Sequence, residues 1–432
     1  MKKKYNLFAL SVVSASILFA AEPIVSNVKA AQGLGSRKVT VSYTLSNEPA
    51  VITVDVQTNR GDGTWVSIGA DKQMSITGDL NKLVYPGPRA FVWNAREDWP
   101  DQLIKGGNIR FAVSAWITTA PPDWMVVDLN AATPAESVTY YASEDRIPGG
   151  ITDDRYKTSH ILMRKIPAAG VEWLMGSPEN ESGRMTTERG VLWEKQHRVV
   201  LSDDYYMAIY ETTQKQYAAF DNQDSPHISS PAGDMYPLNR ATLTELRGEI
   251  KGLGWPENHD VDEGSWVGKL RVATGLEFDL PTEAQWEFAC RAGTTTAYCC
   301  GIVSTGEPDK HIFGIPGIEG FTWYTYTSNQ KLQFVGGKWK NGYGLFDMMG
   351  NVNEMCLDWV GNYPDGDGVT VDPRGTAKPE TIDFENEKTV IFRGGYYNSI
   401  GDALRSANRL TWAVKKFADA YGFRLVCPAV AK

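Results

Sequence analysis

Residues 344–354 read Gly-Leu-Phe-Asp-Met-Met-Gly-Asn-Val-Asn-Glu and carry the most informative pattern in the chain. Asp347 and Glu354 lie on either side of a turn predicted at Gly350. Two carboxylates with backbone carbonyls between them form a plausible cage for a hard cation such as calcium. The sequence leaves a second interpretation open, in which the two carboxylates pair with arginines and hold the loop without a metal. The candidate partners are Arg393, Arg405 and Arg409.

Two helices are predicted upstream of this loop. Thr213 and Gln216 have the spacing of a capping box, which marks a helix N-terminus. A second helix begins after Thr282, with Gln285 placed to complete the cap, and it ends near Gly293. Because the rest of the C-terminal part is rich in Gly, Trp and irregular sequence, we expect short strands and long loops there.

Five motifs follow one another in a fixed order. They are residues 210–217, residues 280–293, residues 344–354, Phe392-Arg393-Gly394-Gly395 and Gly422-Phe423-Arg424. Together they resemble the formylglycine-generating enzyme family, also called sulfatase-modifying factor domains, over about Arg164 to Cys427. The resemblance implies a variant of the C-type lectin fold. It also implies calcium bound by the carboxylates of Asp347 and Glu354 and by the carbonyl oxygens of Gly350 and Val352.

The resemblance fails at the catalytic cysteines. Oxidising members carry two cysteines after the Arg-Gly-Gly motif and bind copper(I), for which thiolates are suitable soft ligands. Here Ser399 stands at the first of these positions, and the second falls at a deletion near Gly401. Tyr396 and Asn353 replace a Ser and a Trp of the family's site. Since a hydroxyl cannot replace a thiolate on copper(I), we predict neither bound copper nor any catalytic residue of the oxidase mechanism.

The family also implies a disulfide. In some members the cysteine of the second helix bonds to a cysteine just beyond Gly-Phe-Arg, and the matching residues are Cys290 and Cys427. Cys427 lies two positions further along than the family's spacing, which keeps the same strand face. The alternative is a pair of buried free thiols.

The loops around the last two motifs form the family's site face. They are predicted to bind a ligand because aromatic rings stack while amides orient polar groups. The candidate residues are Tyr396, Tyr397, Asn398 and Trp412. In the alternative, Tyr396 and Trp412 belong to the core. The favoured function is a secreted, catalytically silent family member that binds a polypeptide or glycan. An enzyme with different chemistry and a structural envelope protein remain open.

The N-terminal third has a different pattern. Met1 to Ala21 combines a basic start with an apolar run, as in a secretory signal peptide that directs the chain out of the cytoplasm, to the medium, periplasm or cell envelope. Residues 22–120 show period-two apolar runs separated by turn residues, which predicts a β-sandwich of immunoglobulin or fibronectin type. Residues 121–158 are predicted to be a connector, and residues 159–430 the family domain. The predicted fold class is therefore α+β.

Composition limits the remaining classes. The chain has 432 residues and a formal net charge of −9, with 42% hydrophobic residues. The apolar content excludes a disordered chain, and the acidic balance argues against nucleic acid as a partner. No apolar run after the signal is long enough to span a membrane. Phosphate-binding, serine-hydrolase and zinc-protease motifs are absent from the sequence.

Overall fold

The computed structural model describes residues 21–33, 35–100, 102, 107–185, 187–188, 191–221, 231–302, 317–363, 367–376, 388–416 and 418–431. The predicted signal peptide, residues 1–21, lies outside these ranges except for its last residue. Within them, the structure is mixed α/β and mostly sheet. No helix among the described residues is long and apolar enough to cross a membrane.

The N-terminal unit consists of two antiparallel sheets that share one core. One sheet has the strand order β1-β2-β7-β5, and the other has the order β4-β3-β6, with β8 also paired to β3. The strands are β1 (Ile24–Gln32), β2 (Lys38–Ser46), β3 (Ala50–Asn59), β4 (Trp65–Ser67), β5 (Ile76–Gly78), β6 (Leu83–Val84), β7 (Gly87–Asn94) and β8 (Ile109–Ile117). A short helix, α1 (Ala95–Asp98), follows β7.

Alternating residues of these strands fill the core, as the period-two pattern predicts. Val41, Tyr43 and Leu45 of β2 are buried, and they belong to one cluster with Ile52 of β3 and Phe91 of β7. At the end of β8 the alternation does not bury the apolar residue, since Ile117 is exposed. The assignment to an immunoglobulin or fibronectin type stays a prediction.

Residues 121–158 are not a connector. They contribute β9 (Trp124–Asp128), the short helix α2 (Pro134–Ser137) and β10 (Val138–Tyr141). Both strands join β11 (His160–Ile166), β16 (Tyr205–Ala208) and β22 (Val426–Pro428) in a five-stranded sheet with the order β10-β9-β11-β16-β22. The sequence analysis missed both strands because they span only five and four residues, which is too short for a visible period.

Three smaller sheets complete the C-terminal unit. Their orders are β12-β15-β18, β13-β14 and β20-β19-β17-β21. The strands are β12 (Glu172–Met175), β13 (Thr187–Glu188), β14 (Val191–Leu192), β15 (His197–Val200), β17 (Asn353–Trp359), β18 (Val369–Val371), β19 (Thr389–Arg393), β20 (Leu410–Ala413) and β21 (Tyr421–Gly422).

Both predicted helices are confirmed, each with its complete capping box. They are α3 (Gln214–Ala218), capped by Thr213, and α6 (Glu283–Arg291), capped by Thr282. Two further helices lie between them, α4 (Leu243–Arg247) and α5 (Trp266–Thr274). Helix α4 has a capping box formed by Thr242 and Glu245, so its start was also readable from the sequence.

The five-stranded sheet separates two hydrophobic cores. Successive side chains of β11 and β16 alternate between them: Leu162 and Met207 belong to the first core, and Met163 and Tyr206 to the second. Helix α6 packs in the first core, while α4 and α5 pack in the second. Val51 of the N-terminal unit also belongs to the second core.

A ladder of buried charges runs along α6. Glu283 accepts hydrogen bonds from Arg409 Nε and Nη2 at 2.6 and 2.9 Å. Glu287, one turn later, pairs with Arg393 of β19 and with Arg291, whose Nε lies 2.8 Å from Oε1. Gly176, just after β12, donates its N–H to Glu287 and accepts a hydrogen bond from Arg291. The ladder thus joins the helix to two sheets and to the loop before β20.

Removing one carboxylate from the ladder should strongly destabilise the fold. In Glu287→Gln, the buried guanidinium groups of Arg393 and Arg291 lose a charge partner, which costs about 3–5 kcal/mol. Glu144→Gln is the matched control, because Glu144 pairs with Lys340 in a partly exposed site, 2.6 Å from Nζ, and should cost less than about 1 kcal/mol. Urea unfolding of both variants gives the comparison, and equal costs would contradict the ladder's role.

Asp358 should make stability depend on pH. It lies beside the ladder, where burial, and then the charge of Glu283, raise its pKa to about 8. The folded state therefore keeps a proton that the unfolded state releases near pH 4, and stability falls by up to about 1.4 kcal/mol per unit as pH rises towards 8. Asp358→Asn retains an acceptor and a donor but cannot ionise, so its unfolding free energy between pH 5 and 8 should be flatter. Parallel curves for both proteins would contradict this.

Candidate functional site

The 344–354 loop follows an irregular path that is determined by left-handed backbone positions. Asp347 and Asn351 have φ values of 56° and 58°, and Gly350 has a φ of 86°. At Gly350 a Cβ atom would lie 2.1 Å from the carbonyl oxygen of Trp323, so only glycine fits. The loop is also anchored by Glu211, which accepts hydrogen bonds from Asn351 Nδ2 and Val352 N at 2.7 and 3.1 Å.

Glu354 is held by an arginine, but not by any of the three that the sequence suggested. Arg424 of the Gly-Phe-Arg motif donates from Nε and Nη2 to the two carboxylate oxygens, at 2.6 and 2.5 Å. Trp286 of α6 adds an indole N–H at 2.7 Å. The suggested arginines pair elsewhere: Arg393 and Arg409 belong to the α6 ladder, and Arg405 pairs with Glu194 and Glu181.

Only one of the two carboxylate oxygens of Asp347 has a hydrogen-bond partner. Its Oδ2 accepts the N–H of Gly336 at 2.5 Å, while its Oδ1 is buried without a hydrogen-bond partner. Burial is the main cause that raises the pKa of Asp347 to about 6. A buried carboxylate oxygen of this kind fits a cation ligand, since an ionised group out of water needs a charge partner. No group of three or more His, Cys, Asp and Glu side chains among the described residues could hold a metal, so carbonyl oxygens would have to supply most of a calcium shell.

Ser399 closes a tight turn. Its buried Oγ accepts the N–H of Tyr396 at 2.9 Å, and its N–H donates to the Tyr396 carbonyl at 2.8 Å. Its own carbonyl accepts the N–H of Thr325 at 3.2 Å, which ties the turn to the 322–328 loop. The hydroxyl therefore has a structural hydrogen bond and faces the interior of the turn.

The four predicted ligand-binding residues fall into two groups. Tyr396, Tyr397 and Asn398 lie together on the turn, with the tyrosines half-buried and Asn398 exposed. Asn398 Oδ1 accepts a hydrogen bond from Thr325 at 3.0 Å. Trp412 lies apart on β20, where its ring packs on Tyr421 with a centroid distance of 5.0 Å and against the second core.

Three exposed apolar side chains lie on the turn or on segments connected to it by hydrogen bonds, and the sequence analysis did not predict them. Tyr326 is 50% exposed, Phe334 is 48% exposed and Ile400 is 51% exposed. Tyr326 follows Thr325, which is bonded to the turn. Asn351 connects the Phe334 segment to the turn. Its side-chain oxygen accepts the N–H of Gln333, and its backbone carbonyl accepts the N–H of Tyr397. The dense aromatic spacing between residues 321 and 343 was the available signal. We call Tyr326, Phe334, Tyr397, Asn398 and Ile400 the aromatic surface.

Cys290 and Cys427 are not bridged. Both are free thiols, and they lie in different cores: Cys290 in the first and Cys427 in the second. The neighbour of Cys427 in β22, Val426, is the residue that faces Cys290's core. The predicted pairing is wrong because the strand turns Cys427 to the opposite side of the sheet.

Residues 168–429 match the sulfatase-modifying factor enzyme 1-like domain, the FGE-sulfatase family. This chain belongs to that family. The match covers more than half of the chain and includes the 344–354 loop, α6 and the turn at Ser399, so the resemblance carried by the five motifs is confirmed. Ser399, which is predicted to replace the first catalytic cysteine, lies within the matched residues.

Three known proteins illustrate what this chain is similar to. A formylglycine-generating enzyme of Thermomonospora curvata is 34% identical over 160 residues, which are 35% of this chain and 51% of that enzyme. The serine/threonine-protein kinase pkn1 of Chlamydia pneumoniae is 24% identical over 62% of this chain. Because the match covers 38% of the kinase, this family member spans about two fifths of that relative's length. The solved Treponema denticola variable protein 1 is 21% identical, with a TM-score of 0.45 over 62% of this chain and 95% of its own.

Proposed function

We propose that this chain is an exported member of its family that lacks formylglycine-generating oxidase activity and binds a polypeptide through the aromatic surface. The proposal rests on the burial and the hydrogen bonding of the Ser399 side chain. Its Oγ is buried and bonded to the Tyr396 N–H, while exposed apolar side chains follow the turn and lie on two segments that are hydrogen-bonded to its neighbourhood. The position that supplies a thiolate in oxidising relatives supplies a turn-stabilising hydroxyl here.

Polypeptide is favoured over glycan by the composition of the surface. Tyr326, Phe334 and Ile400 present apolar area that apolar side chains of a peptide can cover, and Asn398 supplies an amide beside them. A glycan site needs several polar groups that orient hydroxyls, whereas the aromatic surface offers one amide, Asn398, and two tyrosine hydroxyls. The N-terminal unit, predicted to be an immunoglobulin- or fibronectin-like sandwich, would act as a spacer or docking module.

Oxidase activity should be absent. The purified protein is incubated with copper, reductant, O2 and a Cys-x-Pro-x-Arg peptide, and the peptide mass is followed. We expect no conversion, while the formylglycine-generating enzyme of Thermomonospora curvata serves as the positive control. Ser399→Cys should not restore activity, because copper(I) still lacks its second thiolate. Stoichiometric aldehyde formation by the natural protein would refute the proposal.

Peptide binding should depend on the aromatic surface. A peptide array and a glycan array are probed with the natural protein and with the variants Tyr326→Ala and Phe334→Ala. Ile250→Ala is the control, because Ile250 is highly exposed and belongs to none of the three cores. Loss of an anchoring ring costs about 1–3 kcal/mol, or roughly 5- to 150-fold in affinity. Trp412→Ala should instead lower stability by about 2–4 kcal/mol, because its ring packs on the core. Glycan hits alone, or peptide binding that both surface variants retain, would contradict the proposal.

Calcium is proposed as a structural ion at Asp347, with the carbonyl oxygens of Gly350 and Val352 and the carboxylate of Glu354. When bound, it would neutralise the unpaired Asp347 oxygen and raise stability by mass action. The melting temperature should fall in EGTA and recover with calcium but not with equal magnesium.

Asp347→Asn is the decisive variant for this ion. It should lose the calcium response yet be at least as stable as the natural protein in EGTA, because it no longer buries an unpaired charge. Glu354→Gln is a poor probe, since it breaks the Arg424 pair whether or not calcium binds. An unchanged melt of the natural protein in EGTA would exclude the ion.

Two alternatives have distinct outcomes. An enzyme of different chemistry would contain a stoichiometric catalytic metal or turn over a substrate. A structural envelope protein would bind neither array and would fractionate with the envelope. Export itself is tested by the N-terminal mass of the protein made in its host, which should begin near residue 21 or 22 and not at Met1.

A further inference from the structure

The three-stranded sheet β12-β15-β18 has one face in the first core and the other face towards solvent. Met175 and Val199 point inwards and belong to the first core, and Trp173 packs against that core. The alternate residues of each strand point outwards, because side chains along a strand have a period of two. Glu172 and Arg198 are two of these, and both are exposed.

Most side chains on the outward side of this sheet are apolar. Leu174 is 49% exposed, Val369 is 38% exposed and Val371 is 59% exposed, while Val200 is half-buried. Apolar side chains that adjoin one another on neighbouring strands mark an interaction surface, whereas single exposed residues do not. We define the outer sheet face as Glu172, Leu174, Arg198, Val200, Val369 and Val371.

The register of β12 and β15 gives this face a regular arrangement. Glu172 lies opposite Val200, and Leu174 lies opposite Arg198. Glu172 and Arg198 are therefore diagonal neighbours, and their ion pair, with Nη2 2.6 Å from Oε1, spans that diagonal. Leu174 and Val200 occupy the other diagonal. On the far side of β15, Val369 and Val371 of β18 lie opposite Arg198 and Val200.

We propose that the outer sheet face is a dimer interface that binds the same face of a second copy of this chain. A two-fold axis can lie in the interface, perpendicular to the Glu172–Arg198 diagonal. It would bring Glu172 of each copy over Arg198 of the other. Leu174 and Val200 lie close to this axis, so each would meet its own counterpart. The face is thus complementary to itself, as a closed two-fold interface requires.

Charge favours a second copy at this face. The chain has a formal net charge of −9, so two copies repel each other over most of their surface. The outer sheet face carries one negative and one positive side chain, and its net charge is zero. Because exposed ion pairs contribute little affinity, the apolar side chains would supply most of the binding energy. The charges would determine the orientation of the two copies.

Sedimentation velocity of the purified full chain at several protein concentrations tests the dimer. We expect a concentration-dependent equilibrium between monomer and dimer. Leu174→Asp should weaken dimerisation by about 100-fold, because the two-fold axis brings both new carboxylates together in an apolar contact. Val272→Asp is the matched control, since it adds the same charge to α5, where Val272 is 69% exposed, and should dimerise like the natural protein.

Two outcomes of this experiment would overturn the proposal. A natural protein that stays monomeric at about 100 µM would leave the face to a different partner. A dimer that Leu174→Asp retains would use another surface. Circular dichroism of each variant confirms that it is folded, and the exposure of Leu174 makes a folded variant the expected result.

A charge exchange tests the two-fold arrangement. Glu172→Arg gives a face with two positive side chains, and Arg198→Glu gives a face with two negative side chains. Each variant alone should dimerise about 10-fold more weakly than the natural protein, because like charges meet across the axis. An equimolar mixture of the two should recover dimers. Single variants that dimerise normally, or a mixture that stays monomeric, would contradict the arrangement.

The dimer goes beyond the proposed function and does not rest on it. None of its six residues belongs to the aromatic surface or to the calcium loop, and sedimentation requires neither peptide nor metal. If peptide binding fails, the dimer is unaffected. If both hold, each particle carries two aromatic surfaces, and a ligand that reaches both gains avidity.

Discussion

The carboxylates of α6 are the constraint on which the family domain depends. Glu283 and Glu287 lie one helical turn apart and are fully buried, so their charges require partners from elsewhere in the chain. Arg393 and Arg409 supply those partners from β19 and the loop before β20. Because both arginines belong to segments that flank the Ser399 turn, the same contacts that fix the helix also fix the two ends of that turn.

Arg424 and Glu354 extend this arrangement to the 344–354 loop. Trp286 connects the two systems, since it donates to Glu354 from α6 while Arg393 lies 5.3 Å from its ring centroid. The family domain has short strands and few long helices. Its structure therefore depends on buried polar contacts such as these. Buried hydrogen-bond networks of this kind rigidify the segments that they join.

The sequence predicted those features that local patterns determine. The capping boxes at Thr213 and Thr282 lie within one turn of the helices that they start, and the alternation in β2 and β3 lies within one strand. Ion pairs between distant segments could not be predicted from the sequence. Glu354 and Arg424 are separated by 70 positions, and the sequence does not show which arginine pairs with Glu354.

The candidate site shows the same division. Tyr397 and Asn398 could be proposed from the sequence because they adjoin a recognisable motif, whereas Tyr326 and Phe334 belong to a separate segment. Trp412 and Cys427 were misplaced because the face of a short strand depends on its sheet partners. Cys427 follows the register of β16 and β22, in which it lies opposite Tyr206.

The contact between the two units has a consequence for how the chain can be divided. Tyr140 donates its N–H to the carbonyl of Asn81 at 2.7 Å, and Ala431 donates its N–H to the carbonyl of Thr118 at 2.8 Å, so the C-terminal unit is bonded to loops of the N-terminal unit near both of its ends. Val51 fills a place in the second core beside Met125 and Tyr140. A fragment cut at residue 121 would leave apolar side chains uncovered and two backbone donors without acceptors. The N-terminal unit thus contributes to the second core, and a minimal fragment that folds has to retain it.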